Sequence, residues 1–185
     1  SRDELQSTRK KVEETEKRIN ELQEELDSAS KLVRHDQLTG VLNRRGLEEA
    51  FEKESARAAR RKTPLCVGLL DIDNFKKLND SLGHDAGDAA LIHLATVIRE
   101  TMRPQDTCAR FGGEEFVILL KEASEAEAVH WAEMMRQSLK DAAVTRLHRP
   151  SFTASFGVSA VSDLERDLLP AIRRADQALY RAKRN

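Results

Sequence analysis

The sequence predicts an α+β domain, a central and mostly antiparallel sheet covered by helices, preceded by a long coiled-coil helix. Three observations predict it. Residues 1–34 contain no Gly and no Pro and repeat an apolar position every seventh residue. From Asp36 onward, helical and strand-like patterns alternate. Two short runs, 107–111 and 115–120, flank Gly112-Gly113 as the arms of a hairpin do.

The repeat in residues 1–34 is carried by Leu5, Val12, Ile19, Leu26 and Val33, with Thr8, Thr15, Leu22 and Ala29 three residues after the first four. Charged residues fill most other positions. That is the a/d seam of a two-stranded coiled coil, and a lone solvated helix has no need of so regular a spacing. The two Thr residues at d positions weaken the first half of the seam. The helical pattern is already under way at Ser1, so the chain is expected to be a segment of a longer protein.

The second region, residues 35–185, alternates elements. Asn43 precedes a helix carrying Leu47, Ala50, Phe51 and Ala58, whose end is basic through Arg57, Arg60, Arg61 and Lys62. Positive charge suits a helix C-terminus, so the cluster reads as a solvated end. Leu65-Cys66-Val67-Gly68-Leu69-Leu70 is apolar on both faces, as a central strand would be. A helix after Asp85 lines up Leu91, Leu94, Ala95, Ile98 and Met102. Ser124 and Glu127 form a capping box for a helix whose inner face holds Ala128, Trp131, Met135 and Leu139. Phe152, Ala154, Phe156, Val158 and Ala160 alternate as a half-buried strand. A last helix buries Leu168, Ile172, Ala175 and Leu179.

Composition narrows the function. The 31 basic and 32 acidic residues leave a net charge of -1, which argues against a dedicated nucleic-acid binder. No apolar run approaches the ~20 residues that cross a bilayer, and no signal peptide is visible, so this segment is expected to have no membrane partner. Cys66 and Cys108 show no metal-ligand spacing, and a reduced cytoplasmic setting suits them better than a disulfide. The full-length protein remains free to be membrane-anchored.

Two acidic sites stand out. Asp71-Ile72-Asp73 ends the apolar strand, where a carboxylate can reach a ligand while the strand holds it rigid. Glu114 and Glu115 follow Gly112-Gly113 at the hairpin tip, where glycines allow positive φ and close approach of a ligand. Adjacent carboxylates repel, and a hard cation such as Mg²⁺, which takes carboxylate, phosphate and water oxygens, would reconcile them. On residue types alone, a surface turn with solvated acids is equally open.

The whole set of motifs resembles the GGDEF family of diguanylate cyclases. Gly112-Gly113-Glu114-Glu115-Phe116, preceded by Arg110-Phe111, is similar to its defining motif. Asp36-Gln37-Leu38-Thr39-Gly40, with Asn43-Arg44-Arg45, resembles its opening segment. Asp71-Ile72-Asp73-Asn74-Phe75-Lys76 is followed by Asn79-Asp80, Gly83-His84-Asp85 and Gly87-Asp88 in family order. Ala178-Leu179-Tyr180-Arg181-Ala182-Lys183 resembles the closing segment.

The resemblance implies a palm-like nucleotidyl-cyclase fold and a reaction, the condensation of two GTP into cyclic di-GMP with release of two pyrophosphates. It implies a homodimer, joined here by the coiled coil, because each domain holds one GTP. It further implies Mg²⁺ or Mn²⁺ held by Asp71, the Ile72 carbonyl and Glu114. Glu115 stands beside them as a further ligand or as the group that deprotonates the 3′-hydroxyl. Asn79 and Asp88 would read the guanine. Phe75, Lys76, Gly112 and Gly113 would surround the phosphates, and Lys183 would neutralise the terminal ones. An ordinary basic helix end is the alternative for Lys183. The family's arginine four residues later falls past Asn185, and weaker GTP binding is the expectation.

Control is implied as well. Arg103-Pro104-Gln105-Asp106 stands upstream of Gly112 as the family's product-inhibition motif does, with cyclic di-GMP as inhibitor. The family often adds an arginine from the following helix. Met134 takes that position here, with Arg136 two residues on. An upstream sensor domain would act through the stalk. Competing readings are a non-catalytic nucleotide receptor, which intact Asp71, Glu114 and Glu115 argue against, and a pure dimerisation scaffold, which leaves those acids unexplained. A cyclase making another product is a further alternative, disfavoured by Asn79 and Asp88 together.

Overall fold

A computed structural model describes residues 1–145 and 152–184, and Asn185 at the end of the expected domain lies outside them. The chain divides into two compact units, Ser1–Arg34 and His35–Asn185. The first is one helix, α1 (Arg2–Arg34). Acidic Asp3 and Glu4 open it and basic Lys31 and Arg34 close it, each sign matched to the helix dipole. Pairs one turn apart, Arg9–Glu13 and Arg18–Glu21, add surface support. Thr8 and Thr15 donate their hydroxyls to the Glu4 and Lys11 carbonyls at 2.8 Å, so neither leaves a polar group in need of a partner on the seam. No residue of α1 is buried, and Leu5, Val12, Ile19, Leu22, Leu26 and Val33 are all exposed.

The second unit is built on four strands, β1 (Leu65–Ile72), β2 (Thr107–Arg110), β3 (Glu115–Lys121) and β4 (Ala154–Ala160), in the order β2-β3-β1-β4 and antiparallel throughout. β1 is central, as its apolar run predicts. Side-chain alternation splits the strands between two cores. Cys66, Leu70, Ile72, Phe116, Ile118 and Leu120 face α4 (His84–Thr101) and α5 (Glu125–Thr145). Leu65, Val67, Leu69, Val117 and Leu119 face α2 (Arg44–Arg61) and α6 (Leu168–Arg184). Asn43 caps α2 by accepting from Gly46 N–H at 2.9 Å, and Ser124 Oγ accepts from Glu127 N–H at 3.2 Å.

Three features differ from expectation. A short helix, α3 (Phe75–Leu82), precedes α4 and is joined to it by Gly83 at φ 89°. Only Phe75 and Leu78 of α3 pack on the core, so its pattern is too brief to read from sequence. The hairpin tip turns with no positive φ at Gly112 or Gly113. Phe111 N–H donates to Glu115 C=O at 2.8 Å and closes the loop. A Cβ on Gly112 would stand 2.5 Å from Glu115 Oε1, the free end of a side chain that can swing aside. Finally, β4 is covered on both faces. Phe156 and Val158 meet the α4/α5 core half-buried, while Gly157 and Ser159 on the other face are fully buried. A Cβ on Gly157 would overlap the α6 backbone at Ala175, so the glycine lets α6 settle directly on the strand. Among the described residues no helix is long and apolar enough to cross a membrane.

Candidate active site

The acidic site is assembled by strand register. Asp71, near the end of β1, is the cross-strand partner of Glu115, the first residue of β3, so two carboxylates distant in sequence become neighbours. Glu114 precedes them in the turn. Burial pushes the Glu114 carboxyl above the ordinary carboxylate range, and the Asp71 charge adds to the rise while Lys183 opposes it. Glu115 is raised by the same causes in the same order, with Asp176 of α6 and Glu114 contributing further negative charge. Asp71 Oδ1 is buried and has no hydrogen-bond partner, while Oδ2 pairs with Lys183 Nζ at 3.0 Å. Asp73 accepts from the hydroxyls of Thr153 at 2.7 Å and Ser155 at 2.6 Å, with Lys183 Nζ 3.9 Å away.

An orphaned carboxylate oxygen beside two carboxyls raised by burial and mutual repulsion fits a hard divalent cation. Among the described residues no three acidic, His or Cys side chains converge closely enough to enclose an ion. Mg²⁺ does not require that, since it takes one or two carboxylates and completes its shell with water and phosphate.

The hairpin is pinned from beneath. Arg110 donates Nε and Nη2 to the Gly113 carbonyl at 3.1 and 2.8 Å, and Nη1 to Asp36 Oδ1 at 3.2 Å. Asp36 also accepts from Thr39 N–H at 2.9 Å and Thr39 Oγ1 at 2.6 Å. Burial raises the Asp36 carboxyl, but these hydrogen bonds and the Arg110 charge outweigh it and hold it below the ordinary range. Arg44 stacks over Phe111, 4.6 Å from the ring centre.

The other expected residues fall in separate places. Phe75, Lys76 and Asn79 lie on α3 and Asp88 on α4, with Lys76 and Asp88 exposed and Asn79 Oδ1 buried without a partner. Arg103 and Asp106 sit toward the opposite end of the sheet. There Arg103 forks onto Asp106 at 2.8 and 2.9 Å and donates to the Lys121 carbonyl at 2.7 Å, while Lys121 N–H donates to Asp106 at 3.1 Å. The Asp106 side chain is 0% exposed, so as found it has no free edge to accept from a guanine. β1 pairs Leu65 with Lys121 at that end and Asp71 with Glu115 at the other, six residue steps or about 20 Å apart.

Arg136 does not join Arg103. It pairs with Glu133 at 3.2 Å and lines a cavity of 380 Å³ with Asp73, Phe152 and Phe156, toward the Asp71 end. Met134 is exposed. Sequence reasoning set Arg57 and Arg61 aside as a solvated helix end, yet both line a 210 Å³ cavity with Gln105 and Lys121. Their approach to the Arg103–Asp106 loop depends on strand register, which composition does not reveal.

A family model described as "Diguanylate cyclase, GGDEF domain" matches residues 33–185. The chain belongs to the GGDEF family. A diguanylate cyclase of Vibrio cholerae serotype O1 is 40% identical over 167 residues, covering 90% of this chain and 51% of that protein. Diguanylate cyclase DgcP of Pseudomonas aeruginosa is 38% identical over 181 residues, covering 97% of this chain and 27% of its own length. This GGDEF chain therefore spans between about a quarter and a half of those relatives. Among solved structures, the coiled coil and GGDEF domain of DgcB from Caulobacter crescentus in complex with c-di-GMP superposes with a TM-score of 0.84 at 27% identity. That match covers 96% of this chain and 95% of the DgcB chain, whose coiled coil and GGDEF domain parallel the long helix and the GGDEF domain here.

Proposed function

We propose that the chain is a diguanylate cyclase that condenses two GTP into cyclic di-GMP and two pyrophosphates across a pair of domains. The observation that carries this reading is the Asp71–Glu115 cross-strand pair with Glu114 beside it and Asp71 Oδ1 left without a partner. Each domain presents one GTP. The 3′-oxygen of one attacks the α-phosphorus of the other, the bond to the pyrophosphate oxygen breaks, and the hydroxyl proton passes to Glu115. A carboxyl raised toward neutrality is a better proton acceptor than a solvated one. Mg²⁺ or Mn²⁺ would be held by Asp71, Glu114 and the Ile72 carbonyl, with Glu115 kept beside them as the proton acceptor, and would supply charge neutralisation of the phosphates.

Asn79 and Asp88 face the guanine in this reading. Phe75, Lys76, Gly112 and Gly113 border the phosphates, and Lys183 exchanges its carboxylate partners for the terminal phosphates. The α1 seam pairs two copies and raises the effective concentration of one domain near the other, with a sensor domain upstream setting its geometry. Product feedback would act at Arg103, held out by a buried Asp106, together with the basic cavity around Arg57 and Arg61.

The test is chromatography of the products formed from GTP and Mg²⁺, with Glu115→Ala as control. Cyclic di-GMP from the native chain and not from the variant supports the reading. Product from both removes Glu115 from the chemistry, and none from either, after bound nucleotide is stripped, turns the domain into a receptor.

A further inference from the structure

Gly87 is buried as the fourth residue of α4, and its φ is not positive. Backbone freedom therefore does not explain a glycine there, and alanine would suit a helix better. The explanation is its neighbour. A Cβ built on Gly87 would overlap Asn79 Oδ1 and stand 2.9 Å from Asn79 Cγ and 3.3 Å from Nδ2. Asn79 is a short side chain with no flexible end to swing away, so any residue larger than glycine at 87 must turn its carboxamide out of place.

The oxygen of that carboxamide is not satisfied by the chain's own hydrogen bonding. Asn79 Oδ1 is buried with no partner, while the backbone carbonyl of the same residue accepts from Gly83 N–H at 2.8 Å. A buried acceptor left unmade is disfavoured in the free chain and is recovered when a ligand brings the donor. Asp88 follows Gly87 directly and is exposed, so one bare stretch of α4 sets where both acceptors stand. Guanine offers two adjacent donors, N1–H and the 2-amino group. Adenine has an acceptor at N1 and a bare carbon at position 2.

We propose that Gly87 is a specificity-positioning residue, whose missing side chain seats the Asn79 carboxamide so that it and Asp88 accept together from guanine and refuse adenine. The proposal rests on the reading that Asn79 and Asp88 face the base.

The experiment is equilibrium dialysis of GTP and ATP against the full chain without divalent metal, so that nothing turns over, on Asn79→Ala, Gly87→Ala and the double variant. Gly87→Ala lowers the GTP-to-ATP affinity ratio about ten-fold or more, as Asn79→Ala does, and adds nothing in the Asn79→Ala background. A merely structural glycine would shift the melting temperature and leave the ratio alone. If Asn79→Ala collapses the ratio and Gly87→Ala does not, the Gly87 role is wrong and the base reading survives. An unchanged ratio in Asn79→Ala overturns the base reading and the Gly87 role with it. Should Gly87→Ala alone unfold the domain, the double variant must restore folding, because the overlapped atoms are gone; failure to do so also overturns the proposal.

Discussion

Lys183 Nζ, in the last turn of α6, lies 3.0 Å from Asp71 Oδ2 at the end of β1, 112 residues earlier in the chain. The contact joins the closing segment of the domain to its central acid. Both side chains keep contact with solvent, at 34% and 20% exposure, so the pair is worth at most about 1 kcal/mol to the fold. Its small structural value separates two roles. Lys183→Gln should move the melting temperature by only about 2–4 °C, yet raise KM for GTP about ten-fold or more if the ammonium serves the terminal phosphates. Steady-state kinetics beside a thermal melt decide it, and an unchanged KM would reduce Lys183 to a partner of Asp71.

Asp36 is bound four ways, twice by Thr39 and twice by Arg110, which also grips the Gly113 carbonyl of the acidic hairpin turn. Its carboxyl is held below the ordinary range, so it contributes stability that is present above the unfolded value near 4 and is lost as pH falls through the folded one. Asp36→Ala should cost about 2 kcal/mol at neutral pH, and the gap from the parent should close in acid. Because Arg110 loses its anchor, kcat should fall as well, with KM less affected. Melts at neutral and acid pH, with kinetics at neutral pH, check both parts.

That clasp shows what a sequence conceals. Asp36 and Arg110 belong to motifs legible at once, but their hydrogen bond spans 74 residues and exists only because β2 lies beside the segment leading into α2, where Leu42 N–H donates to the Cys108 carbonyl at 3.2 Å. The sheet and its helices were readable because β1 is apolar on both faces and each long helix carries a 3.6-residue stripe. The helix α3 was not, since eight residues with two core contacts make no period. The glycines of the hairpin tip suggest positive φ, yet neither adopts it. The family resemblance implies Arg136 beside Arg103, and three helical turns of α5 carry it toward the Asp71 end instead. Local chemistry survives in the sequence, while distances between motifs follow from register.

Glu115 should show the opposite pH behaviour to Asp36. Burial first, then Asp71, raises its carboxyl above the ordinary range. Such a group favours the fold below the unfolded pKa, and that benefit is lost as pH rises through the folded one. Glu115→Gln removes the charge and keeps the shape. In metal-free buffer at pH 7 the variant should melt above the parent by about 2 °C or more, with the difference shrinking below about pH 4, while product formation is abolished. A variant that melts lower at pH 7 would mean that Glu115 is satisfied in the fold and not strained for catalysis.

The seam of α1 leads to the last prediction. Leu5, Val12, Ile19, Leu26 and Val33 lie on one stripe and are 46–77% exposed, more contiguous apolar surface than a solvated helix keeps. A parallel, in-register copy would bring Glu4 against Arg9 and Lys11 against Glu16 across the seam, two attractive pairs. A fully overlapped antiparallel copy would set Arg18 against Arg18 and Glu16 against Glu16. Charge thus favours the arrangement that carries both domains off the same end. Replacing Val12 and Ile19 by Glu places like charges at two core layers and should abolish the dimer at micromolar concentration in sedimentation. Specific activity should then fall about a hundred-fold when the enzyme is dilute and recover as concentration rises, because only the effective concentration of the partner domain has been lost. Equal specific activity of parent and variant at every dilution would show that the domains meet without the stalk.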